Sequence, residues 1–140
     1  MNDDRRTPPE VFEPLNRIFQ FTLDPCTDAE NHLGLSRFYT KEQDGLKQSW
    51  AGEKVFCNPP YSRGSIMPWE GKSYTETDAF TCLLVPNDSS TGWWQFADSI
   101  SWGRWNIEFR VKFLVKRNGV WVRDWAAKFP SVAFFIGGEI

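Results

Sequence analysis

The sequence predicts an α/β fold in which a mixed sheet carries an antiparallel hairpin near the C-terminus. Short apolar runs alternate with helical patterns along the chain, as in folds built on a parallel sheet. The run Phe80–Val85 is almost continuously apolar, which is typical of a central strand covered on both faces. Asn118 and Gly119 lie between two apolar segments, and this pair is the strongest short-range signal for a β-hairpin.

Length and composition are consistent with one globular domain, which we expect to span residues 1–140. Aromatic residues make up 16% of the chain, which argues against disorder. No apolar stretch approaches the roughly 20 residues that a membrane-spanning helix needs. The N-terminus carries no apolar segment of the secretory type either, so we expect no signal peptide and no contact with a membrane.

The N-terminal segment predicts a helix that extends to Phe19. Thr7 is suited to cap it, Pro8 to occupy its first position, and Glu10 to complete a capping box. Pro14 lies inside this pattern and is expected to kink or shorten the helix.

Four strands and two further helices are predicted before residue 101. The strands are expected at 19–24, where Pro25 ends the strand, and at 38–40, 54–57 and 80–85. The helices are expected at about 66–76 and 90–100, the second with Trp93, Trp94 and Ala97 facing inwards. Most of the eight tryptophans are interpreted as core residues, with Trp69 and Trp102 as the exceptions.

The C-terminal part predicts antiparallel structure at one edge of the sheet. Apolar and mainly polar residues alternate from Ile107 to Val115, as in a half-buried strand. The hairpin turn at Asn118 and Gly119 follows, and Ser131–Gly137 is predicted to form the last strand.

Cysteine and histidine are too few for several kinds of site. The three cysteines form no CxxC pair, and we interpret them as buried reduced thiols of a cytoplasmic protein. His32 is the only histidine and is given no role. A His-rich metal site is therefore excluded, and no metal is expected.

Asn58-Pro59-Pro60-Tyr61 is the sequence feature most indicative of chemistry, because it follows a predicted parallel strand. Ligands of open α/β sheets bind beyond the carboxyl ends of the strands. The two prolines hold the segment extended and donate no N–H groups. The Asn58 side-chain oxygen and the Pro59 carbonyl are then two acceptors beside an aromatic ring, which suits a planar NH₂ group.

Such an amine is a poor nucleophile because its lone pair is delocalised into the attached ring or carbonyl. Two acceptors that bind both of its protons return electron density to the nitrogen. This is electrostatic preorganisation, and it requires a rigid loop but neither a metal nor a histidine.

At this point the sequence resembles the phage-type DNA N6-adenine methyltransferases, often called Dam-like. The resemblance covers most of the chain in ordered blocks. They are Thr7-Pro8-Pro9 with its helix, Leu23-Asp24-Pro25-Cys26, Asn31, Asp44-Gly45-Leu46 through Trp50, Asn58-Pro59-Pro60-Tyr61-Ser62, Leu84-Val85-Pro86, Thr91-Gly92-Trp93-Trp94 and Phe109-Arg110-Val111-Lys112-Phe113.

This resemblance implies a class I (Rossmann-like) methyltransferase that uses S-adenosylmethionine and acts on double-stranded DNA, encoded by a phage or prophage and active in the bacterial host cytoplasm. The target adenine would be flipped out of the duplex and stacked on Tyr61. The residues implied at the catalytic site are Asn58, Pro59, Pro60 and Tyr61. Those implied at the cofactor are Thr7, Pro8, Asp24, Pro25, Cys26, Asp44 and Leu46.

The segment 101–128 holds seven Lys or Arg and two Asp or Glu, although the whole chain has a net charge of −2. One interpretation is a surface that meets DNA phosphates, with Arg104, Lys116 and Arg117 as the contacts. The other is a solvated hairpin whose lysines protect an edge strand. Both stay open from the sequence, as does a homodimer.

Two alternative functions also remain. The same tetrapeptide suits enzymes that methylate RNA adenine or protein glutamine, because each presents a planar NH₂ group. A phage protein that binds cofactor and DNA without turnover is the other alternative. It is favoured by Asp24-Pro25-Cys26-Thr27-Asp28, which replaces the usual glycine-rich turn.

Overall fold

A computed structural model describes residues 5–126 and 128–138 of the chain. They form three helices and nine strands in chain order. The helices are α1 (Pro9–Phe19), α2 (Ile66–Thr75) and α3 (Gly92–Ile100), with a 3₁₀ turn at Gly45–Lys47. The strands are β1 (Arg5–Arg6), β2 (Leu23–Thr27), β3 (Arg37–Thr40), β4 (Lys54–Cys57), β5 (Phe80–Pro86), β6 (Ser101–Asn106), β7 (Leu114–Arg117), β8 (Val120–Arg123) and β9 (Ser131–Gly137).

The main sheet has six strands in the order β3-β2-β4-β5-β9-β6. The first four are mutually parallel, whereas β9 runs antiparallel to both of its neighbours. The expectation of a mixed α/β fold is therefore confirmed. The chain steps outwards from β2 to β3 and then returns to the other side of β2 for β4. The strand order thus reverses between β2 and β4, where the carboxyl ends of two parallel strands diverge and leave a crevice.

The core lies along the central strands of this sheet. Val55, Phe56 and Leu83 are completely buried, and every residue from Phe80 to Val85 is buried, as predicted for a strand covered on both faces. Trp94 and Ala97 of α3 face inwards as predicted.

The N-terminal helix differs from its prediction at both proline positions. Pro8, not Thr7, occupies the cap, and no side chain caps the helix. Glu10 instead binds Arg123 of β8 at 2.5 and 3.1 Å, so the predicted capping box was wrong. Pro14 does not shorten α1. The helix continues to Phe19 because its apolar face, including Leu15, is buried in the core.

Strand β2 begins and ends later than predicted. It starts at Leu23 and runs through Pro25 to Thr27. Proline lacks the N–H that a regular ladder needs, and it is tolerated in strands at irregularities. The pairing with β3 is irregular between Asp24 and Thr27, which provides such a position.

The C-terminal region was predicted least accurately. Residues 107–113 form no strand; β6 at Ser101–Asn106 was missed, and β7 begins only at Leu114. The hairpin turn itself is confirmed, because Asn118 and Gly119 both have positive φ, at 52° and 77°. The hairpin is not an edge of the main sheet, however. It pairs with β1 in a separate three-stranded sheet, of order β1-β7-β8.

The tryptophans also divide differently from the prediction. Trp69 is buried against Trp50, with ring centroids 6.3 Å apart, so its interpretation as an exception to the core was wrong. Trp102 is half exposed as expected, and Trp125 is 73% exposed. Cys57 and Cys82 are buried thiols, whereas Cys26 is only partly buried.

Candidate active site

The candidate site lies at the carboxyl ends of β2, β4 and β5. Asn58, Pro59, Pro60 and Tyr61 follow β4 directly, and we call them the acceptor loop. Pro59 and Tyr61 are buried and the other two are partly buried. The loop therefore packs against the core, where the sequence had suggested a segment that projects from the strand.

Asn58 is held by hydrogen bonds at both ends of its amide. Its Nδ2 donates to the Arg5 carbonyl oxygen at 3.3 Å, and its Oδ1 lies 2.7 Å from the Tyr61 hydroxyl. A carbonyl can only accept, so the Arg5 oxygen requires Nδ2 on its side of the amide. Oδ1 is thereby turned towards Tyr61, with a second lone pair available for another donor.

Tyr61 is anchored from inside the protein. Its hydroxyl also lies 2.9 Å from the carbonyl oxygen of Leu84 in β5, so its single proton has two acceptors within reach. Burial raises the pKa of Tyr61 well above its usual value, and the hydroxyl stays protonated. The rings of Phe113 and Phe129 pack against Tyr61 edge to face. The orientation of this ring is therefore set by contacts on several sides.

A first cavity of about 660 Å³ opens on the β2 side of the acceptor loop, at the reversal of strand order. Charged groups of both signs line it, together with the rings of two tryptophans. Its lining includes Arg5, Arg6, Pro25, Cys26, Asp28, His32, Lys41, Glu42, Asp44, Gly45, Asn58, Pro60, Trp69 and Trp121.

Arg6 is the best-anchored cation of this cavity. Its Nη2 lies 2.9 Å from Asp28 and 3.2 Å from Glu30, and its guanidinium lies 3.9 Å from the centre of the Trp121 ring. Arg6 is placed there because β1 pairs with β7 of the hairpin. The N-terminal strand and the hairpin thus close one side of the first cavity.

Gly45 lines the same cavity, and Asp24 is buried next to Pro25, which also lines it. Asp24 is only 3% exposed, and this burial raises its pKa to about 7, although the N–H of Cys26 donates to its carboxylate. Gly45 lies so close to β2 that a Cβ there would overlap the carbonyl oxygen of Pro25. Asp44 precedes it at a positive φ of 55° and accepts the N–H of Leu46. A glycine at 45 is therefore required for the 3₁₀ turn to pack on β2.

A second cavity of about 810 Å³ opens on the β5 side of the acceptor loop. Its wall is mainly apolar. The lining residues are Tyr61, Ser62, Arg63, Gly64, Ile66, Met67, Pro86, Asn87, Asp88, Thr91, Gly92, Trp93, Phe129 and Pro130. The acceptor loop lies between two cavities of different character, with Asn58 and Pro60 lining the first and Tyr61 the second.

Comparison with known proteins agrees with this geometry. A family model described as "DNA N-6-adenine-methyltransferase (Dam)" matches residues 1–136. The chain belongs to this family. Within it, a DNA N-6-adenine-methyltransferase of Escherichia phage T1 is 35% identical over 102 residues, which cover 69% of this chain and 42% of that protein. One of Haemophilus phage HP1 is 32% identical over 90 residues, 62% of this chain and 51% of that protein. The chain spans about half the length of these relatives, or less.

The cofactor residues implied by the resemblance divide into two groups. Pro25, Cys26 and Asp44 line the first cavity. The other four do not line the cavity, but each lies within two positions of a residue that does. They are Thr7, Pro8, Asp24 and Leu46. The Thr7 hydroxyl is buried and finds no hydrogen-bond partner in the described part of the chain.

Sequence reasoning missed several residues of this cavity. Arg6 and Trp121 come from segments far apart in the chain, so no local pattern could join them. His32 was given no role, yet it lines the cavity, and burial lowers its pKa so that the ring is neutral at pH 7. Trp69 gave a signal, because it lies close after the acceptor loop, and it was singled out as a base-stacking exception to the core but not as part of a cofactor site.

The three residues expected at DNA differ in how they are held. Arg104 lies 2.6 Å from Asp98 and above the ring of Trp94, so its charge is already partnered. Lys116 and Arg117 are exposed at the hairpin tip. Arg117 is 3.7 Å from Asp124, which is a loose surface pair. The hairpin tip therefore has the more available charges.

Residues 5–126 and 128–138 contain no cluster of three or more His, Cys, Asp or Glu that could hold a metal ion. Within the same residues, no helix is both long and apolar enough to cross a bilayer.

Proposed function

We propose that this protein transfers a methyl group from S-adenosylmethionine to the N6 amine of adenine in double-stranded DNA. One observation carries the proposal: the acceptor loop, with Asn58 fixed by hydrogen bonds, separates a charged cavity from an apolar one. In a methyl transfer, the methyl donor and the amine that receives the methyl group must approach each other from opposite sides. A loop between two cavities allows this arrangement. Membership of the DNA N-6-adenine-methyltransferase family supports the choice of adenine in DNA.

The first cavity fits S-adenosylmethionine in size and in chemistry. Its volume of about 660 Å³ is within the range of sites for small molecules and cofactors. Asp28 and Asp44 suit the ammonium, sulfonium and ribose hydroxyls, and Arg6 suits the carboxylate. The Nε of Arg6 is buried and finds no partner among the described residues, which leaves a donor for that carboxylate. Trp69 and Trp121 also line this cavity and are proposed to pack against the cofactor's purine.

The chemistry that the bound cofactor supplies is an electrophilic methyl group on a sulfonium. The protein's part is to hold the amine. Asn58 Oδ1 and the Pro59 carbonyl would accept hydrogen bonds from its two N–H groups and raise electron density on the nitrogen. Tyr61 and the Arg5 carbonyl keep the Asn58 amide from rotating, so the acceptors are in place before the amine arrives. Pro60 keeps the loop rigid, and the Tyr61 ring supports the base.

The fold is proposed to be of the class I, Rossmann-like type, within one domain over residues 1–140. The four parallel strands and the reversal of strand order beside the first cavity support this assignment. The usual glycine-rich turn is replaced by the irregular end of β2. Thr7, Pro8, Asp24 and Leu46 are proposed to shape the cofactor cavity from behind its lining.

DNA is proposed to approach over the hairpin. Lys116 and Arg117 at its tip would meet phosphates, and Arg104 would contribute only where DNA competes with Asp98. A two-stranded ribbon has dimensions that the major groove admits. The homodimer gains no support and is not proposed. A DNA substrate and phage relatives support activity in the bacterial host cytoplasm.

The test is incubation with labelled S-adenosylmethionine and duplex DNA, followed by digestion to nucleosides. We expect the label in N6-methyladenine. Label found only in RNA or in protein glutamine would contradict the proposal and select the first alternative. Cofactor binding with no transfer to any substrate would select the binding protein without turnover.

A further inference from the structure

The Arg5 side chain lies between the two cavities. It lines the first cavity, while its guanidinium lies 5.3 Å from the centre of the Tyr61 ring and 5.9 Å from that of Phe129. Both of these rings line the second cavity. The backbone of Arg5 is fixed, because it pairs with Val115 and its carbonyl accepts the Asn58 amide. The side chain alone can therefore leave this position without disturbing the acceptor loop.

The guanidinium of Arg5 is weakly held compared with that of its neighbour. Arg6 has two carboxylate partners, Asp28 and Glu30. The Nη1 of Arg5 is buried and finds no hydrogen-bond partner among residues 5–126 and 128–138. An unsatisfied buried donor costs about 1–3 kcal/mol, and cation–π contacts stabilise by about 0.5–2 kcal/mol. The unpaired donor therefore offsets part of the stabilisation that Arg5 gains from its two ring contacts.

The Tyr61 ring is covered in this structure. Tyr61 is 6% exposed, so a base cannot stack on the ring until a neighbouring group leaves. Phe113 is itself buried in the core, and Phe129 packs against it with ring centroids 6.0 Å apart, whereas Arg5 is partly exposed. Displacement of Arg5 frees an unpaired donor, while displacement of either ring breaks aromatic packing.

A guanidinium also resembles the amino-bearing edge of adenine. Both are flat and delocalised, and both carry NH₂ groups in the plane. We propose that the Arg5 side chain occupies the stacking position of the target adenine on Tyr61 and is displaced when the flipped base enters. This inference rests on the proposed function. Stacking of a base on an aromatic side chain is worth about 1–3 kcal/mol, which exceeds what holds Arg5.

The exchange makes a specific prediction about which bases gain from removal of Arg5. Adenine offers two N–H donors to Asn58 and Pro59, so it can complete the exchange. Thymine presents a carbonyl oxygen at the corresponding edge, and the same acceptors repel it. A shorter residue at position 5 should therefore raise the affinity for dA strands. The affinity for dT strands should stay unchanged, because it depends on contacts with their phosphates.

The experiment compares the affinities of single-stranded dA and dT oligonucleotides of equal length for the wild type and for Arg5→Ala, with S-adenosylmethionine present. We expect the ratio of dA affinity to dT affinity to rise about 2- to 30-fold in Arg5→Ala, as displacement of a cation–π contact predicts. Arg37→Ala is the matched control, because Arg37 lies over Tyr39 at 5.8 Å, at the edge strand of the sheet. Its ratio should stay at the wild-type value. Arg5→Ser repeats the measurement if Arg5→Ala does not fold.

An unchanged or lower ratio in folded Arg5 variants would overturn the inference. Equal weakening of dA and dT would identify Arg5 as a phosphate contact and would overturn it as well. The failure of the proposed function has a separate readout. A wild type that forms no N6-methyladenine in duplex DNA contradicts that function, whereas normal methylation with an unchanged ratio removes only the role of Arg5.

Discussion

The two cavities on either side of the acceptor loop differ in chemistry and in construction. The first contains charged groups of both signs, and one of its cations, Arg6, is already bound by carboxylates. The second is walled mainly by apolar side chains such as Met67, Trp93 and Phe129. A charged small molecule gains from fixed partners of opposite sign, and a flat base gains from apolar faces.

The difference also shows where rigidity lies. The wall of the first cavity is joined by ion pairs, by β1 and by the close approach of Gly45 to β2. At the entrance from the second cavity to the acceptors, Arg5 and Phe129 contact the Tyr61 ring. On the proposed function, the cofactor side would be preformed and the base side would have to open.

The largest expected effect comes from Asn58, which lines the first cavity and is bonded to Tyr61 of the second. Asn58→Ala removes one of the two acceptors, and the rate of methyl transfer should fall about 100- to 1,000-fold. Cofactor affinity should change little, because the charged partners of the first cavity remain. Single-turnover kinetics and calorimetric binding measure the two quantities. Asn16→Ala is the control, since Asn16 likewise has a side-chain hydrogen bond to the backbone, accepting the Phe21 N–H, but lies at the far end of α1 and lines neither cavity. Normal turnover in Asn58→Ala would refute the mechanism.

Gly45→Ala should damage the first cavity and spare the second. The new Cβ overlaps the Pro25 carbonyl, and such overpacking costs about 1–3 kcal/mol. If that strain falls on the cofactor wall, cofactor affinity drops about 5- to 150-fold, as calorimetry would show. Gly71→Ala is the control, because its Cβ meets no neighbouring atom within 4 Å. Equal cofactor affinity in the two variants would show that the first cavity is not where the cofactor binds.

Reversal of charge at the hairpin tip should affect DNA and leave the cofactor unaffected. The double variant Lys116→Glu/Arg117→Glu should bind duplex DNA more weakly, and the slope of log affinity against log salt should flatten by about 2. Arg17→Glu/Lys54→Glu reverses two exposed charges near the amino ends of the strands and serves as the control. A salt slope that stays at the wild-type value would mean that DNA binds elsewhere on the protein.

The smallest effect concerns pH and the buried Asp24. Its pKa is about 7 in the folded protein and near 3.8 when unfolded, so the folded state retains a proton that the unfolded state releases. Stability should therefore fall as the pH rises from about 4 to about 7. Asp24→Asn should remove part of this fall, seen as a smaller change in Tm, by a few °C, between pH 5 and pH 8.

Glu70 provides the comparison for that measurement. It is fully buried in α2, and burial raises its pKa to about 8, so its own contribution is lost over a higher range, from about pH 4.5 to about 8. Glu70→Gln should reduce the fall in Tm across this whole range, including the part between pH 7 and pH 8 to which Asp24 no longer contributes. If Asp24→Asn retains the wild-type pH dependence below pH 7, Asp24 is ionised in the folded protein and its predicted protonation is wrong.

Local patterns were sufficient for much of the fold and for the centre of the site. The apolar run at β5, the turn at Asn118 and Gly119, and the position of Asn58 and Tyr61 after a strand each depend on neighbours in the chain. They could be predicted because proline geometry, turn preferences and strand periodicity act over a few residues. The missed strand β6 has small and aromatic residues in place of a clear apolar alternation.

The sequence by itself identified two hydrogen-bond acceptors, the Asn58 side-chain oxygen and the Pro59 carbonyl. It also placed them directly after a strand. Only the tertiary structure decided what surrounds them. It pairs β1 with the hairpin, which brings Arg5, Arg6 and Trp121 to the acceptor loop, and it turns Tyr61 inwards to Leu84. The physical reason is that long-range strand pairing and burial are selected by the free energy of the whole core. No local segment contains that information.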